Sequence, residues 1–209
     1  MSGIVQHFDS GAGAEVTVEA YSRNRALKEV QASGGLQDAV LRGRVFAACT
    51  DVGGVAPNGT PGTTSDFTLY NPFSSGVMLS VWRIAMGYIS GTIAVGPTGL
   101  YANTNPAAAV TTAAAALPVT NCLLSGGYST KAKAFTTATL PASPTFMMSL
   151  YNLTPFAAAT ALTPYSLLHD IGGLIVVMPG CGISIESTCG AGTSPLVVYA
   201  MTWEEITLG

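Results

Sequence analysis

The chain has 209 residues and a mass of 21.3 kDa, with 24 glycines, 12 prolines and only 9% charged residues. An ordinary soluble domain carries roughly 25% charge. The hydrophobic share of 48% excludes disorder throughout, and a net charge of −3 excludes the basic surface of a dedicated nucleic-acid binder.

Met1–Ala14 is rich in Gly, Ala and Ser without periodicity and reads as an adaptable arm. Glu15–Glu19 alternates polar and apolar residues as a strand does, and the charged run Arg23–Val30 suits a short helix. Ser33-Gly34-Gly35 breaks the chain before Leu36–Thr50, where the apolar body begins. Val52–Ser65 holds four glycines and two prolines and is predicted to be a loop. Phe67–Tyr70 is a short strand ended by Asn71-Pro72, and Val77–Ile89 a long one with apolar residues on both faces. Such two-sided patterning suits a sandwich interior or a subunit interface. Thr92–Tyr101 is a further strand, interrupted at Gly96-Pro97, whereas Ala107–Leu117 is Ala/Thr-rich, with helical propensity opposed by Val110, Thr111 and Thr112 and by the flanking Pro106 and Pro118.

Further strands are predicted at Ala132–Thr139, Thr145–Leu153, Leu174–Met178, Gly182–Ser187 and Leu196–Ile206, with Pro179-Gly180 as a turn between two of them. From Val40 onward this makes about eight to ten strands and almost no amphipathic helix, the spacing of an antiparallel β-sandwich or jelly roll. All β is therefore the expected fold class, with an extended N-terminal arm over residues 1–50 and a jelly-roll body over 51–209.

Charge divides the chain the same way. Residues 1–51 hold six acids and five bases, 11 of the 19 charged groups. A soluble body so sparing of charge is prone to association. Ile84–Thr130 and Ala134–His169 lack charge altogether, but Gly, Pro and Asn interrupt both before 18 apolar residues accumulate, so neither reads as a membrane span. Met1–Ser10 has neither the basic start nor the apolar run of a signal peptide, and synthesis in a cytoplasm is expected. Without a secretion signal, the triplets Asn58-Gly59-Thr60 and Asn152-Leu153-Thr154 carry no expectation of glycosylation.

Chemistry-bearing motifs are scarce. Cys49, Cys122, Cys181 and Cys189 lack zinc-site spacing and suit small apolar fillers, although Cys181 and Cys189 are close enough to face each other across a hairpin. His7 with Asp9 shows no third metal ligand. His169-Asp170 are adjacent, so on a strand they diverge, and no Gly-x-Ser-x-Gly elbow accompanies them. Glu204-Glu205 diverge for the same reason, which argues against a glycosidase pair and suggests a solvated or interface edge. No dinucleotide loop or P-loop is present. The expectation is a protein that binds rather than catalyses, without cofactor, metal, nucleic acid or membrane.

Tyr70-Asn71-Pro72-Phe73-Ser74-Ser75-Gly76 with the apolar strand to Ile89, and Ile171–Gly180 followed by Gly182–Ser187 and Leu196–Ile206, resemble tailed-bacteriophage jelly-roll structural proteins. The resemblance spans residues 67–206 and is closest to the trimeric capsid cement, or decoration, proteins. A Pro-Gly turn between apolar strands also occurs in cupins, but the cupin metal histidines are missing. The resemblance implies a virion structural protein on the capsid exterior, a homotrimer that clamps neighbouring major capsid subunits. On that reading Arg23, Arg25, Lys28, Arg42 and Arg44 anchor the arm to the capsid, while Val81, Trp82, Ile84, Val197, Tyr199 and Trp203 lie in the core or trimer strands. The alternative is a tail-tip or fibre protein whose exposed aromatics meet a host surface polysaccharide. A cellular β-sandwich enzyme or lectin is the third reading, and exposed carboxylates or a bound metal would favour it.

Overall fold

The computed structural model describes residues 8–9, 15–16, 34–92, 96–104, 116–126, 128–153, 166–187 and 194–208. The chain forms two compact units, Met1–Asp38 and Ala39–Gly209. In the first, strands β1 (Phe8–Asp9) and β2 (Glu15–Val16) pair antiparallel, Phe8 opposite Val16 and Asp9 opposite Glu15. The ribbon thus starts inside the segment that its composition alone marks as lacking order. The expected helix over Arg23–Val30 and residues 107–115 of the ambiguous Ala/Thr-rich stretch Ala107–Leu117 lie outside the described residues.

After helix α1 (Gly34–Leu41), the body contains β3 (Val45–Cys49), β4 (Phe67–Tyr70), β5 (Val77–Ser90), β6 (Gly96–Asn103), β7 (Val119–Asn121) and β8 (Lys133–Phe135). It is completed by β9 (Thr145–Leu153), β10 (Ser166–Val177), β11 (Gly182–Ser187) and β12 (Leu196–Thr207). Sheet one has the order β10-β5-β12-β3-β7 and sheet two β8-β4-β11-β6-β9, with every pairing antiparallel. Without the short β7 and β8, each sheet keeps four strands, and the chain crosses between sheets in the order of a jelly roll. β7 and β8 come from the connection between β6 and β9 and extend the β3 and β4 edges.

The core between the sheets contains Phe67, Leu69, Leu79, Val81, Ile84, Leu100, Ile183, Ile185, Val197, Met201 and Trp203. Phe46 stacks on Trp203 with ring centroids 6.3 Å apart. The core also holds one polar bridge: Tyr199 Oη of sheet one lies 2.8 Å from Ser187 Oγ of sheet two, which is 3.0 Å from Thr98 Oγ1. Within the dry interior this chain of hydroxyls gives the phenol its partner and fixes how β12 lies over β11.

Several boundaries differ from the sequence expectation. The body begins at Ala39 rather than after Thr50, because the apolar Val45–Cys49 pairs with β12 inside sheet one. The charges flanking it mark no boundary, and one of them, Arg44, is ion-paired to Glu204. Gly96-Pro97 opens β6 instead of interrupting it: Pro97 precedes the stretch Thr98–Asn103 bonded to β11, so its missing N–H breaks no ladder there. β10 starts at Ser166, eight residues before the predicted strand, because Gly172 and Gly173 are absorbed in a bulge between Asp170 and Ile175. Both glycines take positive φ, +61° and +81°, which an L side chain would resist. Pro179-Gly180 is the expected turn between two strands, and because β10 belongs to sheet one and β11 to sheet two, it carries the chain across the sandwich.

Asn71 fixes that crossing. Its side-chain amide donates to the carbonyls of Val77 (2.8 Å) and Val177 (3.0 Å), and its own carbonyl accepts from Gly180 N at 2.8 Å. One buried side chain thereby ties the end of β4 to the start of β5 and the end of β10.

Candidate functional site

Two features of the body stand out, a buried acidic cluster on sheet two and an exposed apolar flank. The cluster follows from strand alternation. On β11, Ile183 and Ile185 enter the core, so Ser184 and Glu186 point to the outer face of sheet two. The sequence pattern implies that this face is wet, but Ser184 and Glu186 are wholly buried. The predicted loop Val52–Ser65 accounts for their partners. Glu186 Oε2 accepts from Gly62 N at 2.9 Å and Oε1 from Ser184 Oγ at 2.9 Å. Asp66, equally buried, accepts from Asn58 N at 2.8 Å and Ser187 N at 3.0 Å.

The loop is held in turn by Ser65 N to Ala138 O (3.2 Å) and Leu140 N to Thr63 O (2.7 Å). Burial pushes the Asp66 carboxyl up to about 7, against the pull of its two backbone donors, and neighbouring Glu186 adds repulsion. Burial raises Glu186 as well, against its bonds from Gly62 and Ser184. All four carboxylate oxygens are engaged by donors of the chain itself. The cluster therefore fastens the loop onto sheet two.

Glu204 and Glu205 correct another expectation. Neither is a solvated edge: both are buried and diverge across β12. Glu204 lies 3.1 Å from the Arg44 guanidinium. Glu205 accepts from Thr130 Oγ1 (2.5 Å), Lys131 N (2.8 Å) and Ala132 N (3.1 Å), and so anchors the segment entering β8. His169 and Asp170 diverge as adjacent strand residues must: His169 lies opposite Ile84, and exposed Asp170 lies opposite Arg83, 3.8 Å away.

A cleft of about 660 Å³ opens beside β3 and β7, lined by Ala47, Cys49, Val52, Leu117 and Ala200 among others. Burial raises the Cys49 thiol above its usual range, so it stays protonated rather than poised as a nucleophile. Cys49, Cys122 and Cys181 are free thiols; Cys189 lies outside the described residues. Among the described residues, no group of three or more His, Cys, Asp or Glu side chains is placed to hold a metal. No helix there is long and apolar enough to cross a membrane.

The second feature is set by topology. Leu117 N donates to Ala134 O at 2.9 Å, and Ala116 bridges Phe135, so β7 and β8 close one flank of the sandwich. β9 and β10, the opposite ends of the two sheets, form the other flank. Along β10, Leu167, Ile171, Ile175 and Val177 pack on the core. Leu168, Leu174 and Val176 point outward and are 64%, 85% and 47% exposed. Phe146 and Met147 are exposed on β9. β9 carries no charge, and Asp170 is the only Asp, Glu, Lys or Arg on β10.

No family model, curated protein or solved structure matches this chain.

Of the core or trimer residues named from the sequence, Val81, Ile84, Val197, Tyr199 and Trp203 are buried by the chain's own sandwich. Only Trp82 is partly exposed, beside Gly173 of the β10 bulge. Of the proposed arm anchors, Arg23, Arg25 and Lys28 lie outside the described residues. Arg42 is exposed at the end of α1, and Arg44 is engaged with Glu204. Sequence reasoning missed the acidic cluster, although isolated acids in otherwise uncharged segments were a usable signal. It also missed the flank, whose signal was the apolar run Leu174–Met178 occupying both strand parities.

Proposed function

We propose that this chain is a virion structural protein, a homotrimeric cement protein on the exterior of a phage head that clamps neighbouring major capsid subunits. One observation carries the reading: a jelly-roll body keeps several of its few acids in internal contacts while leaving exposed an apolar flank on which Asp170 is the one acid of its edge strands. Exposed apolar surface of that kind marks an association site. The charged N-terminal segment supplies a second contact, since an arm that orders on binding spreads modest affinity over a wide surface. Three arms on one trimer multiply that attachment through effective concentration.

Deleting Met1–Gln31 tests the clamp. The truncated protein is expected to remain a folded trimer and to lose its occupancy on empty heads. Decoration at wild-type occupancy would overturn the reading. A tail-tip or fibre protein recognising a host polysaccharide is the second reading, favoured by the exposed loop aromatics Phe73 and Tyr128. Copy number per particle separates the two, hundreds for cement and tens or fewer for a tail protein.

A further inference from the structure

The triplet Asn58-Gly59-Thr60 carries no expectation of glycosylation, but its first two residues have a chemistry of their own. The backbone nitrogen of the residue that follows an asparagine can attack the side-chain amide, and asparagine is thermolabile for that reason. Glycine in the following position leaves that nitrogen unshielded, because it has no Cβ. Asn58 is the only asparagine of the chain followed by glycine. Asn71, by contrast, is buried and followed by Pro72, whose nitrogen has no proton to give up. Gly59 takes φ +69°, a conformation that an L side chain resists. The turn therefore requires the residue that leaves Asn58 open to attack.

Asn58 is exposed, and it also fastens the loop in which it lies. Its Nδ2 donates to Thr64 O at 2.7 Å, and its backbone N donates to Asp66 Oδ1 at 2.8 Å. Gly62, between those contacts in the chain, donates to Glu186 of β11 at 2.9 Å. We infer that Asn58-Gly59 is a site of spontaneous deamidation and that its product releases this loop from sheet two. The chemistry belongs to the folded subunit and does not depend on the assembly proposed above. Water is the co-reactant. The Gly59 nitrogen passes its proton to solvent and bonds to Asn58 Cγ; the Cγ–Nδ2 bond breaks, and Nδ2 takes up a proton and leaves as ammonia. Water then adds to either carbonyl of the resulting cyclic imide and opens it to aspartate or isoaspartate.

Both products undo the fastening. The new carboxylate has no donor for Thr64 O, so two acceptors face each other where the 2.7 Å bond stood. It also adds negative charge on the residue whose N–H holds Asp66, beside an acid that Glu186 already repels. Isoaspartate in addition lengthens the backbone by one methylene before Gly59, which shifts Gly62 from Glu186. In the intact loop the bond to Thr64 O slows the reaction, because the amide must leave that acceptor before Gly59 N reaches Cγ.

Ageing the full-length protein tests the site. Samples are held in mildly alkaline buffer, either folded or unfolded in urea, and their peptides are sequenced by mass spectrometry. Asn58 is expected to become a mixture of aspartate and isoaspartate in both, more slowly in the folded sample, where Asn71 and Asn121 stay unchanged. An Asn58 amide that persists in the folded protein, whether or not it converts in urea, overturns the site. Hydrogen exchange tests the release. Gly62 N should exchange roughly tenfold faster in Asn58→Asp and in aged wild type than in fresh wild type, the factor for about one lost hydrogen bond. Amides of β5 and β12 should keep their wild-type exchange, which separates a local release from global unfolding. Asn58→Ser, which has no amide to lose, should show no further change on ageing. Equal Gly62 exchange in fresh, aged and Asn58→Asp protein overturns the release, and ageing of Asn58→Ser as in the wild type would trace it to another residue and overturn it too.

Discussion

Along β11 the outer face of sheet two is polar and buried, whereas along β10 the outer face of sheet one is apolar and exposed. On sheet two, Ser184 and Glu186 point away from the core and are met by Gly62 from the loop, with Asp66 bonded to Asn58 and Ser187 beside them. On sheet one, Leu168, Leu174 and Val176 point away from the core and meet solvent. A carboxylate can be buried within one chain because backbone N–H groups of a nearby loop satisfy it. An aliphatic row gains only from another apolar surface. The acids therefore hold the body together, while the aliphatic row of β10 stays in contact with solvent.

Titration gives the largest test of that contrast. The Asp66 carboxyl sits at about 7 in the fold against 3.8 for the free group. Between those values the folded chain keeps a proton that the unfolded chain has released, so stability falls as pH rises through the window. At about 1.4 kcal/mol per pKa unit, the loss is on the order of 4 kcal/mol between about pH 4 and pH 8. Raised Glu186 acts in the same direction. Urea unfolding of wild type and Asp66→Asn across this range should show the full slope in the first and, in the second, only the smaller part left by Glu186. Equal slopes would mean that Asp66 is not the buried acid that the contrast requires.

A smaller effect is expected at Glu205. Replacing it with Ala leaves Thr130, Lys131 N and Ala132 N without their acceptor, and about 3 kcal/mol should be lost in equilibrium denaturation. A loss under about 0.5 kcal/mol, the usual result for a surface position, would mean that water replaces the carboxylate. The smallest effect belongs to the apolar face. The exposed Arg83–Asp170 pair is 3.8 Å apart, and Asp170→Asn should change stability by under about 1 kcal/mol and by less in high salt. A larger, salt-independent change would show that this face depends on charge after all.

Much of the framework was legible before any coordinates. Phe67–Tyr70, Val77–Ile89, Thr145–Leu153, Gly182–Ser187 and Leu196–Ile206 match β4, β5, β9, β11 and β12 to within a residue. Alternation and the Asn-Pro and Pro-Gly breaks are local signals, so a local reading finds them. β10 was cut short because Gly172-Gly173 looks like a terminator unless β5 is known to continue opposite it. The acid cluster was hidden for a related reason: Gly62 and Glu186 are 124 residues apart, and nothing local marks them as partners. The flank was half legible. The two-sided apolar run was visible in the sequence, but which of its faces is covered depends on β10 lying at an edge.

By itself the sequence determined an all-β body, most of its strand boundaries and a poverty of charge that points to association. Strand periodicity and turn chemistry act over a few residues, and composition needs no coordinates. Only the tertiary structure decided that β3 belongs to the body and that Glu186, Glu204 and Glu205 face inward to partners. It also decided that one flank is closed by β7 and β8, while β9 and β10 each have one partner strand among the described residues. Those outcomes depend on pairings between distant segments, and burial is a property of the packed sheets rather than of any residue's own character.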